Sequence, residues 1–200
     1  FDGLMHEVNG ARGSFTIEGA AADIARFTFT FQGDFVDVID SALPTSPVYE
    51  DTVPAQVELA NVSTLGGADF DNTDPDEFEL CAQSFTLDAG TELAFRECIN
   101  ASDSVEGAII TGRTPVGAFN PETELEATHP FWAILDSAQR VVFALRVGSV
   151  AGNVVSFFAP YAQYSSISYG NRNEIRIYDV DLAFAAGEDA GNDEFNLYFS

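Results

Sequence analysis

Residues 26–35 read Arg-Phe-Thr-Phe-Thr-Phe-Gln-Gly-Asp-Phe, and their alternation decides the fold class. Phe27, Phe29, Phe31 and Phe35 fall on one side of an extended chain, while Arg26, Thr28, Thr30, Gln32 and Asp34 fall on the other. Successive side chains of a strand point in opposite directions, so a period of two over this length predicts a strand with one buried and one wet face. Just upstream, Phe15 and Ile17 alternate with Ser14, Thr16 and Glu18, and residues 19–24 supply a connecting loop. The two runs predict a hairpin with one aromatic face.

Working outward, the chain repeats the same grammar. Strands are expected over residues 56–65, 78–87, 91–99, 105–113, 141–147, 154–159, 174–184 and 194–199, separated by Gly-, Asn- and Asp-rich turns. Residues 37–56 carry Pro44, Pro47 and Pro54 and read as an extended connection, and 115–121 read as a turn region. The one helical signal lies in residues 122–139, where Phe131, Trp132 and Leu135 fall on one face and Pro130 is tolerated in a first turn. The composition agrees, with 18 Phe, 6 Tyr and 1 Met, since aromatic and branched residues suit a pleated surface. The expectation is an all-β, mainly antiparallel sandwich or barrel with long hairpins and one short helix, a single domain over 1–200.

Two cysteines are too few for a disulfide scaffold or a four-thiolate zinc site. They lie in an apparent hairpin over residues 78–99. A two-residue loop at Ala89-Gly90 sets Cys81 opposite Cys98, whereas a three-residue loop at Asp88-Ala89-Gly90 shifts the register by one. The second arrangement puts Phe85 and Leu87 on a face with Leu93, Phe95 and Ile99, sorts apolar from polar more cleanly, and predicts two free thiols.

Charge excludes whole classes of function. There are 32 acidic residues against 8 basic ones, all of them Arg, for a net charge of -24. Such a field repels phosphates and anionic lipid surfaces, so a basic-patch nucleic-acid binder is excluded and no membrane partner is expected. No window is long and apolar enough for a spanning helix. Acid excess without Lys also suits salty surroundings. The acidic run 68–79 places Asp69, Asp71 and Asp74 at intervals that invite a calcium reading, but the Gly and flanking helices of an EF-hand are missing, so a solvated loop is expected. His6 and His129 are the two candidate bases, and neither neighbours a nucleophile motif, so capping or packing is the expected role of His129. No catalytic residue, metal site or cofactor is expected.

The amino end, DGLMHEVNGARGSFTIEG, resembles the tail tube proteins of siphovirus-type phages, with Asp2-Gly3 and Gly10-Ala11-Arg12-Gly13 preceding the Phe-rich strand. The likeness continues through SALPTSPVYEDTVPAQVELANVSTLGG, IITGRTPVGAFNPETE and the closing GNDEFNLYFS. Related chains carry a long segment before the Asp-Gly turn, so the sequence is expected to be the carboxy-terminal part of a longer one. The resemblance implies a non-enzymatic virion protein, made in the host cytoplasm, whose six-membered rings stack into a tube with other tail proteins at its ends. Viral DNA would pass through without specific binding. Glu7, Glu18 and Asp34, on or beside the first hairpin, are expected to face either that channel or a solvated outer surface. Rival readings are a halophilic β-sandwich binding or adhesion module, and another virion ring or decoration protein.

Overall fold

The computed structural model describes residues 3–42, 45–49, 54, 56–57, 61–64, 81–101, 104–148, 150–187 and 191–200. Among them are eleven strands and one helix: β1 Leu4–Ala20, β2 Arg26–Asp40, β3 Asn61–Thr64, β4 Ala82–Asp88, β5 Thr91–Glu97, β6 Val105–Arg113, β7 Val116–Pro121, α1 Phe131–Ser137, β8 Val141–Val147, β9 Val155–Arg172, β10 Ile175–Phe184 and β11 Asn196–Phe199. The expected all-β class with one short helix is what the chain forms. The acidic run 68–79 lies outside the described residues.

Nine strands make one antiparallel sheet in the order β2-β1-β4-β7-β10-β9-β8-β3, with β11 also on β9. The sheet folds over itself through β9. Its first half pairs with β8 and β11, and its second half pairs with β10. Aromatic contacts close the resulting sandwich. Phe143 of β8 meets Phe119 of β7 at 5.6 Å, Phe157 of β9 meets Phe184 of β10 at 5.2 Å, and Phe27 of β2 meets Phe199 of β11 at 5.8 Å. Phe131 and Ile134 of α1 are buried, with Phe131 stacked on Tyr164 and tilted against Tyr178. The helix ends where Ala138 turns left-handed at φ 49, and the N–H groups of Ala138 and Gln139 donate back to Leu135 and Ile134.

The hairpin expected over 78–99 is replaced by a longer arrangement. β4 pairs with β1 and β7, and β5 pairs with β6, so the chain at Asp88–Thr91 bends without reversing. Asp88 Oδ1 accepts the Gly90 N–H at 2.8 Å, Gly90 takes φ +58, and its carbonyl accepts the Thr114 N–H at 2.9 Å. The turn chemistry of Asp-Ala-Gly is therefore real, but it serves a kink in a ribbon whose reversal lies between β5 and β6. Both registers drawn from that hairpin fall with it. Cys81, just before β4, and Cys98, just after β5, are free, as expected.

Two further strand limits move. Of residues 115–121, read as a turn region, Val116–Pro121 form β7, whose Pro121 sits at the terminal position. The strand expected to end at Ala159 runs on to Arg172, because the Ser-rich stretch after Pro160 is held by β10 from Phe184 to Ile175. At the other end, β1 runs through Gly10 and Gly13 with an irregular register between Asn9 and Arg12. Gly10 takes φ +58 there, and the Phe31 ring covers Gly13, where a Cβ would lie 2.5 Å from it.

Phe143 is fully buried at the centre of the sandwich. Phe143→Ala is expected to lower unfolding free energy by about 3–5 kcal/mol in equilibrium urea denaturation, from lost burial plus a cavity. A loss below about 1 kcal/mol would contradict its central place.

Candidate assembly and channel surface

Strand alternation stays in phase from β2 to β9, and it leaves one face of the sheet polar. A single row across six strands reads Arg26, Glu18, Thr86, Ala118, Asp181 and Ser166, each residue directly opposite the next. Neighbouring positions on the same face hold Thr16, Thr28, Asp88, Asn120, Asp179 and Ser168. Ser166 donates to Asp181 Oδ2, and the Asn120 side-chain oxygen accepts the Gln83 and Ser84 N–H groups where the β4–β7 register shifts. Shallow depressions run along the face, one lined by Ser84, Thr86, Ala118, Asn120, Asp179 and Asp181.

The acids on this face outnumber its free cations. Glu18, Asp34, Asp88, Asp179 and Asp181 belong to it by alternation. Arg26 is held by Asp23 at 3.3 Å and Arg172 by Glu122 at 2.8 Å. Arg12 folds back on the carbonyls of Gly10 and Ala11. Elsewhere Arg96 pairs with Glu106, Arg113 with Glu194, and Arg140 and Arg176 lie over the rings of Tyr161 and Tyr169. Exposed pairs of this kind contribute little stability, but each occupies a guanidinium that a phosphate would otherwise take.

Of the three residues expected to face a channel, the structure brings two to the polar face. Glu18 is exposed beside Arg26 and Thr86, and Asp34 continues the Arg26–Gln32 alternation opposite Asn9. Glu7 is exposed on β1, two residues before Asn9 and opposite Asp37, across the register irregularity between Glu7 and Val8. Sequence reasoning missed Asp88, Asp179 and Asp181. The alternation of Asp179 and Asp181 with Tyr178, Val180 and Leu182 was the available signal.

The other face holds a second departure. Phe29, Phe31 and Phe35, expected to be buried, are 57%, 67% and 58% exposed. Phe15 and Phe27 lie under β11 through Phe195 and Phe199, and the strands of the ribbon continue past that cover. Leu4, Met5, Val8, Val38 and Ile39 on β1 and β2, and Phe95, Ile109 and Ile110 on β5 and β6, are further exposed apolar side chains, divided between the two faces of their ribbons. A row of exposed rings such as Phe29, Phe31 and Phe35 is the mark of an interaction surface.

His129 is fully buried at the entry to α1. Its Nε2 lies 3.0 Å from the Tyr164 hydroxyl and its ring stands edge-on to Phe131 at 4.2 Å. Packing is therefore its role. His6 is exposed on β1.

A polar, acid-rich sheet face backed by an aromatic core, with long ribbons that carry exposed apolar side chains at its margin, defines a structural β protein suited to building a wall. The chain belongs to the phage tail tube protein family, whose sequence pattern matches residues 1–192. It is accordingly a structural protein of a virion tail, in a family whose members assemble with one another and with other tail proteins. One similar solved structure is the cryo-EM structure of the anti-feeding prophage cap, a tube terminating cap. It is 10% identical and covers 80% of this chain and 100% of that one, with a TM-score of 0.46. No curated protein sequence matches.

Burial pushes the His129 pKa down from 6.5 to about 4. The folded chain holds the neutral ring, so stability from this group is complete above about pH 6.5. It declines as pH falls toward 4, because the unfolded chain takes the proton first. The decline expected by pH 4 is about 3 kcal/mol, at about 1.4 kcal/mol per pH unit. Urea midpoints of the parent and His129→Gln should therefore converge as the pH is lowered from 7 to 4. Parallel curves would contradict the assignment.

Proposed function

We propose that six copies of this chain close into a ring, that rings stack into a tail tube, and that the polar face of β2, β1, β4, β7, β10 and β9 is turned toward the bore through which viral DNA passes. The observation that carries this reading is the unbroken row from Arg26 through Glu18, Thr86, Ala118 and Asp181 to Ser166. Glu18 and Asp34 would line the channel with Asp179 and Asp181, and Glu7 would stand toward the outer reach of the ribbon. The subunit would be made in the host cytoplasm and meet other tail proteins at the ends of the tube, with no membrane partner.

The electrostatics favour passage over binding. A duplex gains affinity by releasing counterions to Lys and Arg, and a wall of carboxylates, serines and threonines offers few such contacts. Repulsion from the carboxylates acts within a Debye length of about 8 Å at physiological salt. It therefore keeps phosphates off the wall without holding the polymer at a distance. Serine and threonine hydroxyls keep that wall hydrated, and the apolar surface is left for contacts between subunits.

Negative-stain microscopy of the purified protein is expected to show rings with sixfold averages and tubes, whereas monodisperse monomers at every concentration would contradict the reading. In assembled tubes, Glu18→Arg combined with Asp181→Arg is expected to create salt-sensitive retention of duplex DNA that parent tubes lack. Equal, negligible retention by both would place these residues off the channel wall.

A further inference from the structure

Three of the eight arginines, Arg12, Arg26 and Arg172, fall on the polar face by strand alternation. Arg26 lies opposite Glu18, Arg12 lies opposite Gln32, and Arg172 follows Ser166, Ser168 and Gly170 along β9. In a chain without Lys, these are the cations that the face could offer to a passing polyanion. Each is already engaged. Arg26 Nη1 donates to Asp23 Oδ2 at 3.3 Å and its Nη2 to Asp23 Oδ1 at 3.4 Å, a two-point contact from within the β1–β2 turn. Arg172 Nη2 donates to Glu122 Oε1 at 2.8 Å, and only 16% of its side chain is exposed. Arg12 Nη1 folds back onto the Ala11 carbonyl at 3.1 Å.

The two carboxylates are held firmly for contacts of this kind. The Asp23 N–H donates to the Ala20 carbonyl at 3.0 Å, and its own carbonyl accepts the Val57 N–H at 2.7 Å. Asp23 Oδ1 accepts the Ile24 N–H at 2.8 Å, and that bond, followed by the Arg26 charge, keeps the carboxyl below its usual range and ionised. Glu122 comes two positions after Asn120, where its backbone bridges to Ile177 of β10 and its side chain meets the end of β9. Stability does not explain the Asp23 pair, because Arg26 and Asp23 are 59% and 53% exposed and such pairs add little.

We infer that Asp23 and Glu122 are shielding residues, which hold the Arg26 and Arg172 guanidiniums against carboxylates of the same chain and so deny them to DNA phosphates. The inference rests on the channel reading above and names the residues that let the wall slide rather than bind. Association with DNA is driven largely by counterions released when Lys or Arg neutralise phosphates. A guanidinium in contact with a carboxylate needs no other counterion, and a phosphate that displaces the carboxylate leaves a bare negative charge beside the duplex. The exchange therefore has no net driving force. The arginines in turn moderate repulsion among the acids of the face, since Arg26 contacts Asp23 and lies across from Glu18. Beyond a Debye length of about 8 Å each pair is close to neutral for the polymer.

The test uses assembled tubes of the full chain carrying Asp23→Asn or Glu122→Gln, each alone. Asp23→Asn keeps an acceptor for the Ile24 N–H, and Glu122→Gln keeps the side-chain length. Each is expected to retain at least about tenfold more duplex DNA than parent tubes in co-sedimentation at about 50 mM salt, and to release it at about 1 M, where the Debye length shrinks to about 3 Å. Adding Arg26→Gln to the first and Arg172→Gln to the second should return retention to the parent level. Glu106→Gln removes the acid partner of Arg96 on the separate β5–β6 ribbon and is expected to leave retention unchanged. Retention by Glu18→Arg with Asp181→Arg, but by neither shielding variant, would overturn the inference and leave the channel reading standing. Equal retention by Glu106→Gln would also overturn it, by assigning the effect to net charge alone. No retention by any variant, or no tubes from the parent, would remove the channel reading and the inference together.

Discussion

Antiparallel pairing locks the side-chain alternation of each strand to that of its neighbour, and the subunit depends on that phase being kept across six strands. On one side it delivers Ile17, Phe85, Leu87, Phe119, Val180 and Leu182 to a core closed by Phe143 and Phe157. On the other it delivers Glu18, Thr86, Asp181 and Ser166 to a continuous polar surface. A one-residue slip in one of these strands would carry polar side chains into the core and apolar ones into the water, so the same register fixes both stability and surface. The bulges at Asn9–Arg12 and Asp181–Leu182 lie where this phase must be adjusted.

Acidity creates the second constraint. A subunit of net charge -24 must approach copies of itself in the proposed tube, and Coulomb repulsion opposes that approach at every contact. The fold answers by sorting. Carboxylates line the polar face, and among the described residues most guanidiniums lie against nearby acids, carbonyls or rings.

Much of this was legible from residues alone. The ten residues from Arg26 to Phe35 announce β2, and the Phe131, Trp132, Leu135 spacing announces α1, because period is a local property of the sequence. Pairing is not local. Asp-Ala-Gly at 88–90 looks the same whether the chain reverses or merely bends there, and only the competing partners β1 and β7 decide for the bend. The second half of β9 escaped notice because Ser-Ser-Ile-Ser lacks the branched and aromatic density of a strand, and β10 imposes extension on it. Phe29 and Phe31 were placed on the right side of β2, but their exposure depends on how far β11 reaches, which no residue of β2 encodes. Glu18 and Asp34 followed from alternation, whereas Asp179 and Asp181 become neighbours of Glu18 only through β4 and β7.

The most direct test of the central claim is a cryo-EM reconstruction of the assembled tube at side-chain resolution. The account predicts a channel surface formed by Glu18, Thr86, Asp181 and Ser166, with Phe29 and Phe31 turned away from the bore into protein contacts. A channel wall formed by the opposite side of the sheet, or one dominated by unpaired arginines, would contradict it.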